Sequence, residues 1–261
     1  MKLELGCGDR KHPGFFGIDS RPLEGVDLVH DLNTGIPLPD NSVEWVMASR
    51  CLPYIHDLSA LMNEIHRVCI HKAVLCILAP YAHSFRHISN PLLKHKFDEH
   101  TPRYLTQHFF QPSHTTINSP LSHYAGTESG QIIPFDFRLL RMELFYAETF
   151  RSPLYEPEEL EMLLQLQANV VDEIMYHFVA VKESIAESEL EQLSRQTFLE
   201  PACAGELRLD HSPSWEDAHE PLEEWKIASP LAPETALAGH RYGKKKPRLL
   251  RNRKKRSRYS H

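Results

Sequence analysis

Glycines and carboxylates stand where the first three predicted strands end. Gly6 and Gly8 follow the first strand, where two glycines let the backbone turn sharply and a ligand approach closely. Asp19 ends the second strand, where a carboxylate can accept both hydroxyls of a ribose. Asp31 ends the third, next to Leu32, where an adenine ring and its amino group could be held. Because open α/β sheets bind ligands at the carboxyl ends of their strands, the set favours a nucleotide-like ligand over separate turn caps.

A nicotinamide dinucleotide fits this loop less well. The Gly-x-Gly pattern alone is a weak signal, and the dinucleotide fingerprint needs a third glycine, at position 11 in this chain. The sequence has Lys11 there. A nicotinamide or nucleotide-sugar enzyme therefore stays a less favoured alternative, which predicts NAD(P) binding.

The elements that must position these residues follow an alternating pattern. Short apolar strands alternate with helical periodicity up to about residue 182, which predicts an α/β fold with a parallel sheet and flanking crossover helices. The predicted strands lie at 3–6, 14–19, 26–31, 43–48, 73–79, 137–145 and 171–181, and the predicted helices at 57–69, 158–167 and 185–199. Only about a dozen residues separate Gly6 from Asp19, so a full crossover helix hardly fits between them.

The pattern fades after Lys182, which predicts a domain at 1–182 and a helical or disordered extension at 183–261, mostly disordered from residue 200. The chain has 29 Lys and Arg against 35 Asp and Glu, a net charge of −6. Eleven of the basic residues and none of the acidic ones lie in 241–261, so the preceding residues carry −17. This basic patch could contact nucleic-acid phosphates, or it could be a solvated tail that folds back on the acidic body.

Several motifs together resemble a known family. They are LELGCG at 3–8, PGF at 13–15, ID at 18–19, VHDL at 29–32, IPLPDNSV at 36–43, AS at 48–49 and EIHRV at 64–68. They resemble class I S-adenosylmethionine-dependent methyltransferases of the type 11 kind, closest to a short subgroup known only as predicted methyltransferases. The resemblance covers about residues 2–110 with specific motifs. It implies a Rossmann-like methyltransferase sheet and S-adenosylmethionine as cofactor.

The resemblance also implies roles for single residues. Glu4, Gly6 and Gly8 would lie around the methionine part of the cofactor. Asp19 would hold the ribose, and Asp31 with Leu32 would hold the adenine. The chain departs from the family at residues 52–54, which read Leu-Pro-Tyr where Leu-Glu-His is usual, and at residues 69–73, where a Gly-Gly turn is missing.

Methyl transfer needs a positioned nucleophile and in some cases a base to deprotonate it. The insertion after the fifth strand holds the candidates, and by the subgroup's similar acidic segment ending in His we predict His100 with Asp98. The acceptor cannot be named from the sequence. A second hypothesis is a protein of the same fold that has lost turnover and acts as a nucleic-acid-binding or scaffolding module through its basic tail.

Composition argues against membrane, secreted and zinc-binding proteins. No apolar run is long enough to cross a membrane, the first residues do not form a secretion signal, and the five cysteines form no CxxC pair. A cytoplasmic protein without membrane contact is expected. The histidine-rich stretch 83–123 lacks the Cys partners and intervening acid of known zinc motifs, so no metal is predicted.

Overall fold

A seven-stranded sheet forms the centre of the molecule in the computed structural model, which describes residues 1–113, 133–151 and 155–209. The strands are β1 (Lys2–Leu5), β2 (Phe16–Asp19), β3 (Leu28–Val29), β4 (Val43–Ser49), β5 (Cys69–Pro80), β6 (Phe137–Tyr146) and β7 (Val171–Ala180). Their order across the sheet is β3-β2-β1-β4-β5-β7-β6. Every predicted strand is present, although β3 is shorter and β5 longer than predicted.

The sheet is mixed rather than wholly parallel. Strands β1 to β5 pair in parallel, with Leu5 opposite both Ile18 and Ala48. Strand β7 runs antiparallel to β5 and to β6, which lies at the edge. The prediction of a parallel sheet is therefore wrong for the last two strands, because β6 and β7 form an antiparallel pair around a short helix. The predicted α/β class is confirmed.

Five α-helices accompany the sheet in the described residues: α1 (Leu58–Val68), α2 (Phe85–Ile88), α3 (Pro157–Leu166), α4 (Glu187–Ser194) and α5 (Ala202–Leu209). The carboxylate of Asp57 accepts the Ala60 N–H at 2.9 Å and so begins α1. Four apolar side chains at helical spacing bury that helix on one face of the sheet: Leu61, Met62, Ile65 and Val68. Helix α1 therefore anchors the connection between β4 and β5.

The connection between β1 and β2, residues 6–15, contains no helix and lies directly on the sheet. A Cβ added to Gly17 would lie 2.6 Å from both Cys7 Sγ and Lys11 Cδ. The carboxylate of Asp27 accepts the Gly17 N–H at 2.7 Å and the Lys11 ammonium at 2.5 Å. Glycine at position 17 leaves room for this loop to lie on the sheet in place of a crossover helix.

Residues after β7 cover the face of the sheet opposite α1. Leu190 and Phe198 pack beside Val179, and Ala204 of α5 packs on Cys76, Leu78, Phe145 and Met175. The predicted helix 185–199 is present but shorter, and the predicted disorder does not extend to residues 202–209. The basic patch 241–261 lies outside the described residues. Within them, no helix is long and apolar enough to cross a membrane.

Candidate cofactor and acceptor site

The loop after β1 takes its shape from two glycines in the left-handed region. Gly6 has φ +61° and Gly8 has φ +58°. A Cβ added to Gly6 would overlap the Cβ of Cys51, the second residue after β4. A Cβ added to Gly8 would meet no atom within 4 Å, so this side of the loop is open. Glycine is therefore required at the two positions for different reasons. Gly6 leaves room for the Cys51 side chain, whereas Gly8 only has to adopt the positive φ of an open turn.

Two buried carboxylates hold this loop at the carboxyl edge of the sheet. Glu4 Oε2 accepts the His12 N–H at 2.6 Å, and burial raises the pKa of Glu4. Asp19 Oδ2 accepts the Gly8 N–H at 3.0 Å, while its Oδ1 accepts the Arg21 N–H at 2.9 Å. Because a carboxylate oxygen has two acceptor sites, Asp19 keeps acceptor capacity for further donors.

The residues predicted to hold adenine lie at the end of the neighbouring strand β3. Asp31 begins a short 3-10 turn, and its Oδ1 accepts the N–H and the side-chain amide of Asn33 at 3.0 and 2.8 Å. These bonds lower the pKa of Asp31, the backbone bond contributing most. Leu32 is buried. Asn33 Oδ1 accepts the His56 N–H at 2.8 Å and so joins this turn to the segment after β4.

These residues fit the nucleotide-like ligand that the sequence predicts. One hydrogen bond joins Gly8 directly to Asp19, and Asp31 follows the adjacent strand. The structure thus provides an open glycine turn, a fixed carboxylate with spare acceptor sites and a buried leucine beside a second carboxylate. The glycine turn would allow close approach of the methionine part, the carboxylate could accept ribose hydroxyls, and the leucine could contact an adenine ring. The sequence did not predict Cys51, which appears only through the contact with Gly6.

The segment that follows β5 crosses the carboxyl ends of β4 and β5. Pro53 O accepts the Lys94 N–H at 2.7 Å, and Phe97 O accepts the Ala82 N–H at 2.8 Å. Tyr81 and Phe97 also form a parallel bridge. Residues 94–100 therefore lie over the same edge of the sheet as the glycine loop.

Asp98 and His100, the predicted catalytic residues, lie in this segment with different surroundings. Asp98 Oδ1 accepts the N–H groups of His100 and Thr101, both at 2.9 Å, and so starts the 3-10 turn Thr101–Tyr104. The ring of His100 is half-exposed, and its Nε2 lies 3.7 Å from Glu99 Oε1. Glu99 Oε2 accepts the Tyr81 hydroxyl at 2.7 Å.

Sequence reasoning missed Glu99 and Tyr81. Two signals could have found them, since Glu99 directly precedes His100 and Tyr81 directly follows the buried strand β5. In the described residues, no group of three His, Cys, Asp or Glu side chains is placed as metal ligands would be. His114 and His123 of the histidine-rich stretch lie outside those residues.

A bidentate ion pair links the end of β4 to β7 at this edge of the sheet. Arg50 Nε and Nη2 donate to the two carboxylate oxygens of Glu173 at 2.6 and 2.7 Å, and this pairing raises the pKa of Arg50. Arg50 follows β4 and has φ +57°, so the chain turns sharply there. The pair spans β5 and fixes the start of β7 beside the end of β4.

Comparison with known proteins supports the same reading. Residues 18–77 match the model of a family described as a methyltransferase domain. This range begins in β2, includes Asp19, Asp31 and Leu32, and ends within β5. No curated protein matches the sequence.

Several solved structures resemble the chain at low identity. A putative methyltransferase of Haloferax volcanii, solved with a methyltransferase activator, is 15% identical with a TM-score of 0.41, over 69% of this chain and 82% of that one. A SAM-dependent methyltransferase of Archaeoglobus fulgidus is 16% identical with a TM-score of 0.45, over 68% and 85%. One from Aquifex aeolicus is 14% identical with a TM-score of 0.39, over 69% and 81%.

The family match runs from β2 to β5 and includes Asp19, Asp31 and Leu32 but not Glu4, Gly6 or Gly8, and the Rossmann-like sheet surrounds it. Both findings confirm the resemblance seen in the sequence. Residues 18–77 therefore match a methyltransferase domain, for which S-adenosylmethionine is the implied cofactor.

Proposed function

We propose that this protein transfers a methyl group from S-adenosylmethionine to an acceptor that lies over the carboxyl ends of β4 and β5. The observation that carries the proposal is the bond from Gly8 N–H to Asp19 Oδ2. It joins the glycine turn to a buried carboxylate at the ligand-binding edge of the sheet.

The proposed cofactor residues act by position. Asp19 accepts the ribose hydroxyls with the acceptor sites that Gly8 and Arg21 leave open. Asp31 and Leu32 hold the adenine, since the turn that carries them is fixed by Asn33. Glu4 contributes through the loop, because its bond to the His12 N–H fixes the course of residues 6–15 around the methionine part.

When bound, S-adenosylmethionine supplies an electrophilic methyl group on a sulfonium. The protein's own part is then to hold the acceptor atom in line with that carbon and to exclude water. We assign this work to the segment 94–100, an assignment supported by the Pro53 carbonyl, which holds the start of the segment near the end of β4. His100 is the proposed base of this segment, and Asp98 shapes the turn that presents it.

The departure at residues 52–54 is compatible with turnover. Leu52 and Pro53 are buried in a 3-10 turn, and the Pro53 carbonyl accepts the N–H groups of Lys94 and His95. The Leu-Pro-Tyr sequence thus anchors the acceptor segment. We therefore favour an active enzyme over the alternative of an inactive scaffolding module.

The basic tail suggests where the acceptor comes from. Residues 241–261 carry eleven positive charges, so nucleic acid is the proposed partner and a nucleic-acid-bound acceptor the first to test. We place the protein in the cytoplasm, and the five free cysteines suit a reducing compartment. We propose a domain at 1–182 and an extension at 183–261, of which α4 and α5 pack on the sheet.

The experiment is transfer of tritiated methyl groups from S-adenosylmethionine into fractions of a desalted cell extract. Label in a nucleic-acid, protein or small-molecule fraction would support the proposal and name the acceptor class. No label in any fraction, combined with salt-dependent RNA binding that deletion of 241–261 abolishes, would support the inactive module instead.

A further inference from the structure

A row of exposed apolar side chains lies at the carboxyl edge of the sheet, just before the segment 94–100. Phe85 and Ile88 of α2 are 63% and 47% exposed, and Leu92, which follows α2, is 64% exposed. Phe85 and Ile88 are three residues apart, so they are neighbours on the surface of the helix. Large apolar side chains that are exposed together often mark a surface that another molecule covers. This row, residues 85–92, is the apolar rim.

Hydrogen bonds at both ends hold the apolar rim in place. At its start, Asn169 Oδ1 accepts the Phe85 N–H at 2.6 Å. Just after its end, Pro53 O accepts the Lys94 N–H at 2.7 Å. The rim is therefore fixed between the loop that precedes β7 and the turn that follows β4. Two further exposed apolar residues lie close in the chain to these anchors: Leu166 at the end of α3 and Tyr54 directly after Pro53.

The charge around the rim is opposite in sign to that of the body. Residues 1–240 carry a net charge of −17, whereas residues 84–97 contain three Lys or Arg and no Asp or Glu. Lys94 and Lys96 are both exposed. The two acids that follow are less exposed, and they accept hydrogen bonds, Asp98 from the next turn and Glu99 from the Tyr81 hydroxyl. The rim therefore combines apolar side chains with positive charge.

An anionic lipid surface fits this combination better than other partners do. Apolar side chains can enter the boundary between headgroups and acyl chains, while lysines extend to the lipid phosphates. Single-stranded nucleic acid is bound largely by stacking of bases on aromatic rings, and two of the three rim side chains are aliphatic. Protein interfaces are depleted of lysine. The residue types of the rim therefore favour lipid.

We propose that the apolar rim binds a surface of anionic lipids, so that the carboxyl edge of the sheet faces the membrane. Phe85, Ile88 and Leu92 enter the boundary between headgroups and acyl chains, and the ammonium groups of Lys94 and Lys96 bind lipid phosphates. The contact is peripheral, since only the side chains of one short segment enter the lipid. This inference goes beyond the proposed function and does not depend on methyl transfer. It departs from the expectation of no membrane contact, because the sequence was searched only for apolar runs long enough to span a bilayer.

The first test is co-sedimentation of the full chain with vesicles of phosphatidylcholine and phosphatidylglycerol. The wild type should bind them. Phe85→Ser/Leu92→Ser should bind about 10-fold or more weakly, because two apolar side chains no longer leave water. Lys94→Gln/Lys96→Gln should bind about 5-fold or more weakly, because two charges near the lipid phosphates are lost. All four positions are exposed, so circular dichroism should show the same fold in each variant.

Ile70→Ser and Lys2→Gln are the matched controls, because they change exposed residues at the opposite, amino edge of the sheet. Both should bind the vesicles as the wild type does. A wild type that does not bind the anionic vesicles would overturn the proposal. Equal binding by the wild type and the two rim variants would overturn it as well, because the basic patch 241–261 alone would then account for the attachment.

Two other results would assign the rim to a different partner and would also overturn the proposal. In both, the protein does not bind vesicles. Binding of poly(U) that Phe85→Ser/Leu92→Ser abolishes would indicate single-stranded RNA. Self-association that the same variant abolishes, measured by analytical ultracentrifugation, would indicate a second copy of the chain.

The second test separates the rim from the basic patch, which every variant keeps. Bromine atoms on the acyl chains of a lipid quench the fluorescence of a tryptophan whose ring enters the bilayer. In vesicles of brominated phosphatidylcholine and phosphatidylglycerol, the added fluorescence of Phe85→Trp should be quenched, whereas that of Ile70→Trp should not be. The wild type, with three tryptophans of its own, gives the baseline. Equal quenching of the two variants would contradict the inference.

Discussion

Cys51 lies directly against Gly6, and its Sγ donates a hydrogen bond to the Leu5 carbonyl at 3.1 Å. The contact joins the ends of β1 and β4, two neighbouring strands of the parallel part of the sheet. Burial raises the pKa of Cys51 to about 12, so the thiol stays protonated and keeps donating. The cofactor loop is therefore fixed by a side chain from the neighbouring strand as well as by its own carboxylates.

Alanine at the two loop glycines should have unequal effects. Both substitutions place a Cβ on a backbone with positive φ, at a cost of about 1 kcal/mol each. Gly6→Ala adds the overlap with Cys51, so it should lower the free energy of unfolding by about 1–3 kcal/mol more than Gly8→Ala. Urea denaturation of both variants measures this difference.

The double variant Gly6→Ala/Cys51→Gly is the control for the predicted overlap between the new Cβ and Cys51. Removing the Cys51 side chain makes room for the new Cβ, so the double variant should be more stable than the two single losses added together predict. Strict additivity would mean that the loop moves freely away from β4, contrary to the contact described.

The pair Glu64 and Arg67 holds the segment between β3 and β4. Glu64 Oε2 accepts the Ile36 N–H at 3.0 Å, while Arg67 donates to Ile36 O at 2.8 Å and Leu38 O at 3.0 Å. The Arg67 side chain lowers the pKa of Glu64 from 4.5 to about 2. These two residues belong to the EIHRV motif, so that motif has a structural role outside the proposed cofactor site.

Glu64→Gln should therefore destabilise the protein in a pH-dependent way. Because the folded state lowers the pKa, the contribution of Glu64 is complete above about pH 4.5 and is lost as the pH falls toward about 2. The variant should lose about 1–2 kcal/mol at pH 7, allowing for partial solvent exposure of the pair, and progressively less below pH 4.5. Urea unfolding at pH 7, 4 and 3 would show this, and a pH-independent difference would contradict it.

Truncations should place the end of the folded unit after α5. A chain that ends at residue 199 lacks α5 and exposes Cys76, Leu78 and Met175, all buried in the sheet. Loss of about 2–4 kcal/mol of apolar burial should lower Tm by roughly 5–15 °C. A chain that ends at residue 209 should unfold within about 2 °C of the full chain, because it keeps every described contact of that face.

Arg208→Ala in the full chain is the control for the truncations, because it removes the ion pairs of α5 but keeps its apolar contacts. Arg208 of α5 forms ion pairs with Glu143 of β6 and with Glu200. Because both pairs are partly exposed, this variant should lower Tm by no more than a few degrees. A Tm for the 199-residue chain equal to that of the full chain would mean that α5 does not stabilise the sheet.

Periodicity predicted the strands because a buried strand needs continuous or alternating apolar residues, as in β5 and β7. It could not predict the direction of β6 and β7, since the apolar pattern of a strand is the same in either direction. It also could not predict α5, because this helix has only eight residues with a glycine among them, and its Ala204 becomes buried only against β5, β6 and β7.

The residues of the candidate site also fall into those that the sequence could predict and those that it could not. Gly6, Gly8, Asp19 and Asp31 could be predicted because glycine and carboxylate at strand ends have a chemical meaning in the sequence. The carboxylate nearest the His100 ring could not be predicted. Asp98 and Glu99 both directly precede His100, and only the geometry of the turn decides which of the two lies near the imidazole. Likewise, the contact of Cys51 with Gly6 joins residues 45 positions apart, through strand pairing that the sequence does not reveal.

The central claim is tested most directly by calorimetric titration with S-adenosylmethionine and S-adenosylhomocysteine of the wild type, Asp19→Ala and Asp27→Asn. Asp27 is the matched control, since its carboxylate also bonds the glycine loop but through Lys11 and Gly17. We predict micromolar binding by the wild type, at least about 100-fold weaker binding by Asp19→Ala from the loss of two charged hydrogen bonds, and a change below about 5-fold in Asp27→Asn. Equal binding by Asp19→Ala and the wild type, or no binding of either ligand by the folded wild type, would contradict the account.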